Sequence, residues 1–242
     1  MEAALAAIVT GITSVYNCNY LTNQPLMFRP RLKSAILIIL TATGLNLLVI
    51  QLLDSGFPAA ASGADYSQAV VAVRDHVPHW QKQATRLFSI PLLQRRYDKM
   101  YYLENSDSAE QHRLFVAAIH EALVRYDTVD IFLLAHHNRI INWLNDIDTL
   151  ALKGIRLVYN CGCGDYDQGK QWKAKGVRYY IGHKGTFSWS PVFYFFFLKR
   201  WVNNQSVGDC IRQANKHLRL LLKAACISSS AVNETCANLY PF

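Results

Sequence analysis

TVDIFLLA at 128–135 is an apolar run with the pattern of a strand covered on both faces, not of one with a wet side. A strand of that kind needs helices above and below it, and the flanking sequence supplies the alternation. KMYYLE at 99–104 reads as a strand. Ser108 with Gln111 three positions on is a capping-box signature, and the helix it opens puts Phe115, Ile119, Ala122 and Leu123 on one face. Residues 139–150 read as helix or loop, IRLVY at 155–159 as a strand, and VRYYI at 177–181 as another, bracketed by Gly176 and Gly182. Ser190-Pro191 begins a very apolar helix, PVFYFFFLKRWV, with serine as cap and proline at the first helical position. Ser206 with Asp209 opens a last amphipathic helix through about Lys223. Residues 67–98, of mixed apolar and basic character, read as helix. Strands alternating with helices imply an α/β fold, a mainly parallel sheet with right-handed crossovers and helices on both faces.

A second constraint lies near the start. Ser34 to Leu53, SAILIILTATGLNLLVIQLL, is 20 residues without a charge, matching the ~20 that a helix needs to cross a bilayer. Arg29, Arg31 and Lys33 precede it and Asp54 follows, so the positive-inside rule keeps the basic side in the cytoplasm and exports everything after Asp54. The competing reading is a cleaved signal peptide, since PAAASG at 58–63 offers small residues to a peptidase. An apolar stretch longer than the ~7–15 residues of a signal core favours an uncleaved single-pass anchor. Residues 1–26 carry no basic residue and fit neither reading; a natural start at Met27 would put MFRPRLK directly before the apolar segment. The expected organisation is an N-terminal segment at 1–33, the anchor at 34–53, a linker and helical region at 54–98 and the α/β domain at 99–242. The FYFFF run at 193–197 is too short to span a membrane before Lys199 and Arg200, and reads as a core helix beside the sheet.

The net charge of +8 raises the question of nucleic acid, but charged residues are only 17% of the chain and no Lys/Arg block is interleaved with aromatics. A basic surface without a nucleic-acid partner is the reading. Six cysteines are ambiguous: in an exported domain Cys226 and Cys236 could close a small disulfide loop, but connectivity is not legible in sequence, and five cysteines after the anchor leave one unpaired.

The chemistry concentrates where strands end. In such sheets sites form beyond the carboxyl ends of the strands. The run at 128–135 delivers His136, His137 and Asn138, and the run at 155–159 delivers Asn160, Cys161, Gly162 and Cys163. If the two strands are parallel neighbours, a histidine and a thiol share one edge, the minimum for nucleophilic catalysis: imidazole removes the thiol proton and returns it to a leaving amine. Gly162 and Gly164 would let the chain turn and present amides to a developing oxyanion.

The order and local words, AHHN at 135–138 followed by NCGCGDY at 160–166, resemble the caspase-fold cysteine peptidases of clan CD, the gingipain-like group more than caspases proper. That family has an apolar strand ending in His-Gly and a second ending in Ala-Cys, with x-x-Gly-Asp-aromatic after the cysteine in gingipain-like members. GKQWKAKGVRYYIGHKGTFSWSP is similar to the stretch where that group has a strand ending in glycine and a loop containing Ser-Trp. The likeness covers about residues 99–225. It implies a peptide or protein substrate, no cofactor, Cys161 as nucleophile and His136 as base, with the amides of Cys161 and His137 as oxyanion donors beside Gly162. It also implies a substrate pocket lined by Gly182 to Trp189, including His183 and Ser188, with Asp165, Asp167, Lys170 and Lys184 near enough in sequence to set its charge. Two positions depart from the pattern: His137 stands where the family has glycine, and Asn160 where it has alanine.

Two rival readings come from other classes. Cys161, Cys163, His136 and His137 are suitable zinc ligands if they converge, although Cys-x-Cys is a less common spacing than Cys-x-x-Cys. A catalytically lapsed caspase-fold module, tethered to a membrane and binding a partner, would explain the substituted glycine at His137. His183 otherwise reads as a solvated loop histidine, and His76, His79, His112, His120 and His217 as bystanders on helices. Asn204 and Asn233 begin glycosylation sequons, meaningful only in a eukaryotic secretory setting.

Overall fold

The computed structural model describes residues 67–241, apart from 76, 78, 105–107, 136–139, 149, 186–189 and 225–228. The apolar segment at 34–53, and with it the choice between anchor and signal peptide, lies outside the described residues. Among the described residues no helix is long and apolar enough to cross a membrane.

The elements run β1 (Gln68–Asp75), α1 (His79–Arg96), β2 (Lys99–Leu103), α2 (Ser108–Arg125), β3 (Thr128–Ala135), two 3-10 turns (Ile140–Asp146 and Ala151–Gly154), β4 (Ile155–Asn160), a 3-10 turn (Asp165–Gln168), α3 (Gly169–Ala174), β5 (Tyr179–His183), α4 (Ser190–Trp201), α5 (Val207–Ala224), α6 (Ser229–Thr235) and β6 (Ala237–Leu239). They build one six-stranded sheet in the order β2-β1-β3-β4-β5-β6. The first five strands are parallel and β6 pairs antiparallel with β5 at the edge. The chain is thus an α/β protein with a mainly parallel sheet flanked by helices.

Two expectations are corrected. Residues 67–98 are not one helical region: Gln68–Asp75 is a strand buried along its whole length, and it sits inside the sheet between β2 and β3. Its period is set by sheet neighbours on both sides and helices on both faces, so it shows no alternation that would betray it. The helix at Val207–Ala224 is not the last element either, because α6 and β6 follow and close the edge of β5.

The sheet separates two apolar layers. On one face Val70, Ala72, Phe132, Leu134, Leu157 and Tyr159 pack with Leu93 of α1, Tyr194, Phe197 and Leu198 of α4, and Ala214 and Leu218 of α5. Tyr194, Phe196 and Phe197 of α4 are therefore core, as expected for a helix beside the sheet. On the other face Val71, Val73, Ile131, Leu133 and Val158 meet Phe115, Ile119 and Ala122 of α2, Leu144, and Trp172 of α3. The free thiols of Cys210 and Cys236 are buried in the structure; Cys226, the partner proposed for Cys236, lies outside the described residues.

The amino-terminal edge of the sheet is locked by a polar clamp. Between β3 and β4 the register slips, Val129 pairing with Ile155 but Asp130 with Leu157, so Arg156 is an extra residue in the ladder. Bulges of this kind re-aim a side chain, and here the guanidinium reaches Asp130: Nε donates to Oδ1 at 3.0 Å and Nη2 to Oδ2 at 2.6 Å. Nη2 also donates to Gln68 Oε1 at 2.9 Å. The Tyr97 hydroxyl donates to Asp130 Oδ2 at 2.5 Å while accepting from Trp201 Nε1 at 2.8 Å, which ties α4 to the strands. Sheet order is fixed at this edge, leaving the carboxyl edge for other work.

Candidate functional site

The strands ending at Ala135 and Asn160 are neighbours and parallel, with Leu133 opposite Asn160. The tips that carry the two candidate catalytic residues therefore leave the same edge of the sheet, one strand apart. His136 and His137 themselves, like Ser188 and Trp189, fall outside the described residues; Cys161, Gly162, Gly182 and His183 are described.

The turn after β4 is held from three sides. The amide of Cys161 continues the ladder and donates to Leu133 O at 2.9 Å. The amide of Gly162 donates to the side-chain Oδ1 of Asn160 at 3.0 Å. Gly164 adopts φ 70, a left-handed conformation that favours glycine, and its amide donates to Gly185 O at 2.8 Å. The Tyr180 hydroxyl then fastens Asp165 O at 2.6 Å. Gly182 lies inside β5 and does not end it, because the backbone of Tyr166 passes so close that a Cβ would sit 2.8 Å from its Cα. These bonds change the oxyanion expectation. The amides of Cys161 and Gly162 already have acceptors, and Asn160, where the resembling family has alanine, is what occupies one of them.

Cys161 projects onto the aromatic face of the sheet with Leu157 and Tyr159 and is 3% exposed. Tyr159 stacks on Tyr194 with ring centroids 4.7 Å apart. The Tyr159 hydroxyl lies 3.2 Å from His183 Nε2, and His183 Nδ1 lies 3.0 Å from the carbonyl oxygen of Thr235. A carbonyl only accepts, so Nδ1 carries the hydrogen, Nε2 is the acceptor, and the Tyr159 proton points at His183. Burial lowers the pKa of His183 to about 4, against a smaller opposing push from the Thr235 carbonyl, and the ring is neutral at ordinary pH. His183 is fully buried in β5, which corrects its reading as a solvated loop residue. The hydroxyls of Tyr159 and Tyr194 are raised well above the usual tyrosine value, first by burial and then by the neighbouring Cys161.

Arg74, near the end of β1, was not singled out in the sequence, and it completes this cluster. It is fully buried, its Cζ lies 5.2 Å from the Tyr194 ring centroid and 5.7 Å from that of Tyr102, and Nη1 donates to Val73 O at 2.9 Å. Among the described residues its Nε and Nη2, and the Tyr194 hydroxyl, have no hydrogen-bond partner. The signal that could have found it is an arginine closing an apolar strand, but its neighbours are set by the position of β1 beside β3.

Of the charges considered for pocket selectivity, Asp165 is buried under the turn, whereas Asp167, Lys170 and Lys184 are exposed, Lys184 with Nζ 4.6 Å from the Tyr166 ring centroid. Among the described residues no group of three or more His, Cys, Asp or Glu side chains could hold a metal; the zinc reading depends on His136 and His137. No family model, curated protein or solved structure matches the chain.

Proposed function

We propose that the protein is a caspase-like cysteine peptidase of the gingipain-like type, tethered to a membrane through residues 34–53 with its α/β domain outside the cytoplasm. The observation that supports the chemistry is the adjacency of two parallel strands, one leading into His136 and the other into Cys161. In this reading the Cys161 thiolate attacks the carbonyl carbon of a peptide bond and forms a thioester as the C–N bond breaks. His136 first takes the thiol proton and then delivers it to the departing amine, and water releases the acyl group. With the Cys161 and Gly162 amides engaged, the His137 amide is left as the donor to the oxyanion.

A second reading, the lapsed caspase-fold module that binds a partner, is favoured by a specific pair of observations: a Cys161 residue only 3% exposed and turn amides already satisfied. One experiment separates them. An electrophilic peptide probe directed at thiols should label Cys161 in the folded protein and lose all labelling in Cys161→Ala. It should keep most of it in Cys163→Ser and label slowly in His136→Ala at neutral pH. Absence of labelling and of peptide cleavage in the wild type would leave the binding module. The membrane part is tested separately. Protease applied to intact cells or spheroplasts should digest the domain after Asp54, and a protected domain would reverse the orientation.

A further inference from the structure

A buried cation needs an anion. Arg74 has none among the described residues: its one firm bond is to the Val73 carbonyl, Phe132 O lies at the 3.5 Å limit, and two of its nitrogens have no acceptor. Two aromatic faces compensate a guanidinium only in part. Glu104 is one step removed, through the Tyr102 hydroxyl at 2.6 Å, and is already paired with Arg86 at 3.0 Å. Asp75 follows Arg74 in β1 and, by strand alternation, belongs to the opposite face.

One nearby group can become an anion. Cys161 lies on the same face as Arg74, and the Tyr194 hydroxyl lies within electrostatic reach of both the sulfur and the guanidinium. The two tyrosines beside the sulfur are not equivalent. Tyr159 has given its only proton to His183 Nε2, whereas the Tyr194 hydroxyl has no acceptor among the described residues. It is the donor still unspent.

We propose that Arg74 and Tyr194 hold Cys161 as a thiolate, Arg74 as its buried counter-cation and the Tyr194 hydroxyl as the hydrogen-bond donor standing between them. The proton leaves to His136 or to solvent, and no other bond changes. Arg74 is then a positioning residue, one that acts through Tyr194 on the sulfur. The inference rests on the reading of Cys161 as the reactive thiol and adds what activates it, but its test needs no substrate. Among the described residues, the charged and titratable groups around the sulfur are Arg74 on β1, Tyr102 on β2 with Glu104 beyond, Tyr159 on β4, Tyr180 and His183 on β5 with Asp165 beneath Tyr180, and Tyr194 on α4. The tyrosines are pushed upward, so they do not titrate in the range of a lowered thiol.

The experiment is a pH titration of thiolate ultraviolet absorbance, taken as the difference between wild type and Cys161→Ser. The wild-type midpoint should fall below about 7.5, the range of cysteines beside a fixed cation, against about 8.5 for a free thiol. Arg74→Met should move it to about 8.5 or higher, a loss of at least about eightfold in thiolate at neutral pH, and Arg74→Lys should restore part of the shift. Tyr194→Phe keeps the ring stacked on Tyr159 and removes only the hydroxyl, so it should move the midpoint part of the way. If Arg74→Met does not fold, Tyr194→Phe carries the test. A wild-type midpoint at or above about 8.5, or one unmoved by Tyr194→Phe, overturns the proposal. If the titration succeeds and no peptide is cleaved, the thiolate stands and the peptidase reading falls.

Discussion

Asp130→Ala is expected to cost about 3–5 kcal/mol of folding stability, the range seen when one partner of a buried ion pair is removed. The carboxylate is fully buried at the slipped register of β3 and β4 and satisfies two donors of Arg156 and the hydroxyl of Tyr97. Removing it leaves a largely buried guanidinium without its counter-charge and turns the Tyr97 hydroxyl, which still accepts from Trp201, toward nothing. The loss is mostly the penalty on the groups left behind, so the two sites should be strongly non-additive. In a double-mutant cycle, Asp130→Ala with Arg156→Met should be less destabilised than the sum of the single changes, because the stranded charge is gone. Denaturant unfolding of the four proteins measures this. A loss under about 1 kcal/mol for Asp130→Ala, or additivity within about 0.5 kcal/mol, would show that the clamp does not hold the strands.

The clamp also shows what the sequence concealed. The run at 128–135, the capping box at Ser108 and the Ser-Pro start at 190 each carry their own local physics, and the corresponding elements stand where that physics puts them. β1 carries no such marker. QAVVAVRD contains two alanines, which strands disfavour, ends in opposite charges and is followed by no glycine, and its burial on both faces removes the alternation that marks a strand. Without β1 the sheet order is not legible in the sequence, nor is any contact that depends on β1 lying beside β3. Arg74 is the result: its place at the end of an apolar run is a weak local sign, and only the tertiary fold brings it to the aromatic face that Cys161 shares. His183 failed for the opposite reason. In the sequence Gly182 reads as a strand terminator, whereas the close passage of Tyr166 requires glycine inside the strand, which carries His183 into the core. The edge strand β6 has three residues, too few for any period to show. The cysteine turn was legible because Cys, Gly and Asp cannot be explained by strand packing, but the engagement of its amides by Leu133 and Asn160 is a property of the folded ladder.

The stability of the protein should fall as pH drops from about 6.5 to about 4, and His183 should account for about 3 kcal/mol of that loss. Its pKa is lowered from 6.5 to about 4 by burial in β5, with no solvent near enough to screen it. Above 6.5 the ring is neutral in folded and unfolded chains alike and pH has no leverage through it. Between 6.5 and 4 the unfolded chain binds a proton that the folded chain refuses, so each pH unit favours unfolding by about 1.4 kcal/mol. Below about 4 both states are protonated and the slope from this residue disappears. Carboxylates titrate in the same window, so the test is a difference. His183→Asn keeps a donor near the Nδ1 position for the Thr235 carbonyl but cannot titrate; it should be less stable than wild type at pH 7, where it lacks an acceptor for Tyr159, and lose less as the solution is acidified. Denaturant unfolding from pH 7 down to pH 4 would show the two curves converging, and parallel curves would mean that His183 is not buried as a neutral ring. The same titration acts on the candidate site. A protonated His183 can no longer accept from Tyr159, so the Tyr159 hydroxyl must find another acceptor, and the sulfur of Cys161 is the neighbour whose field it already feels.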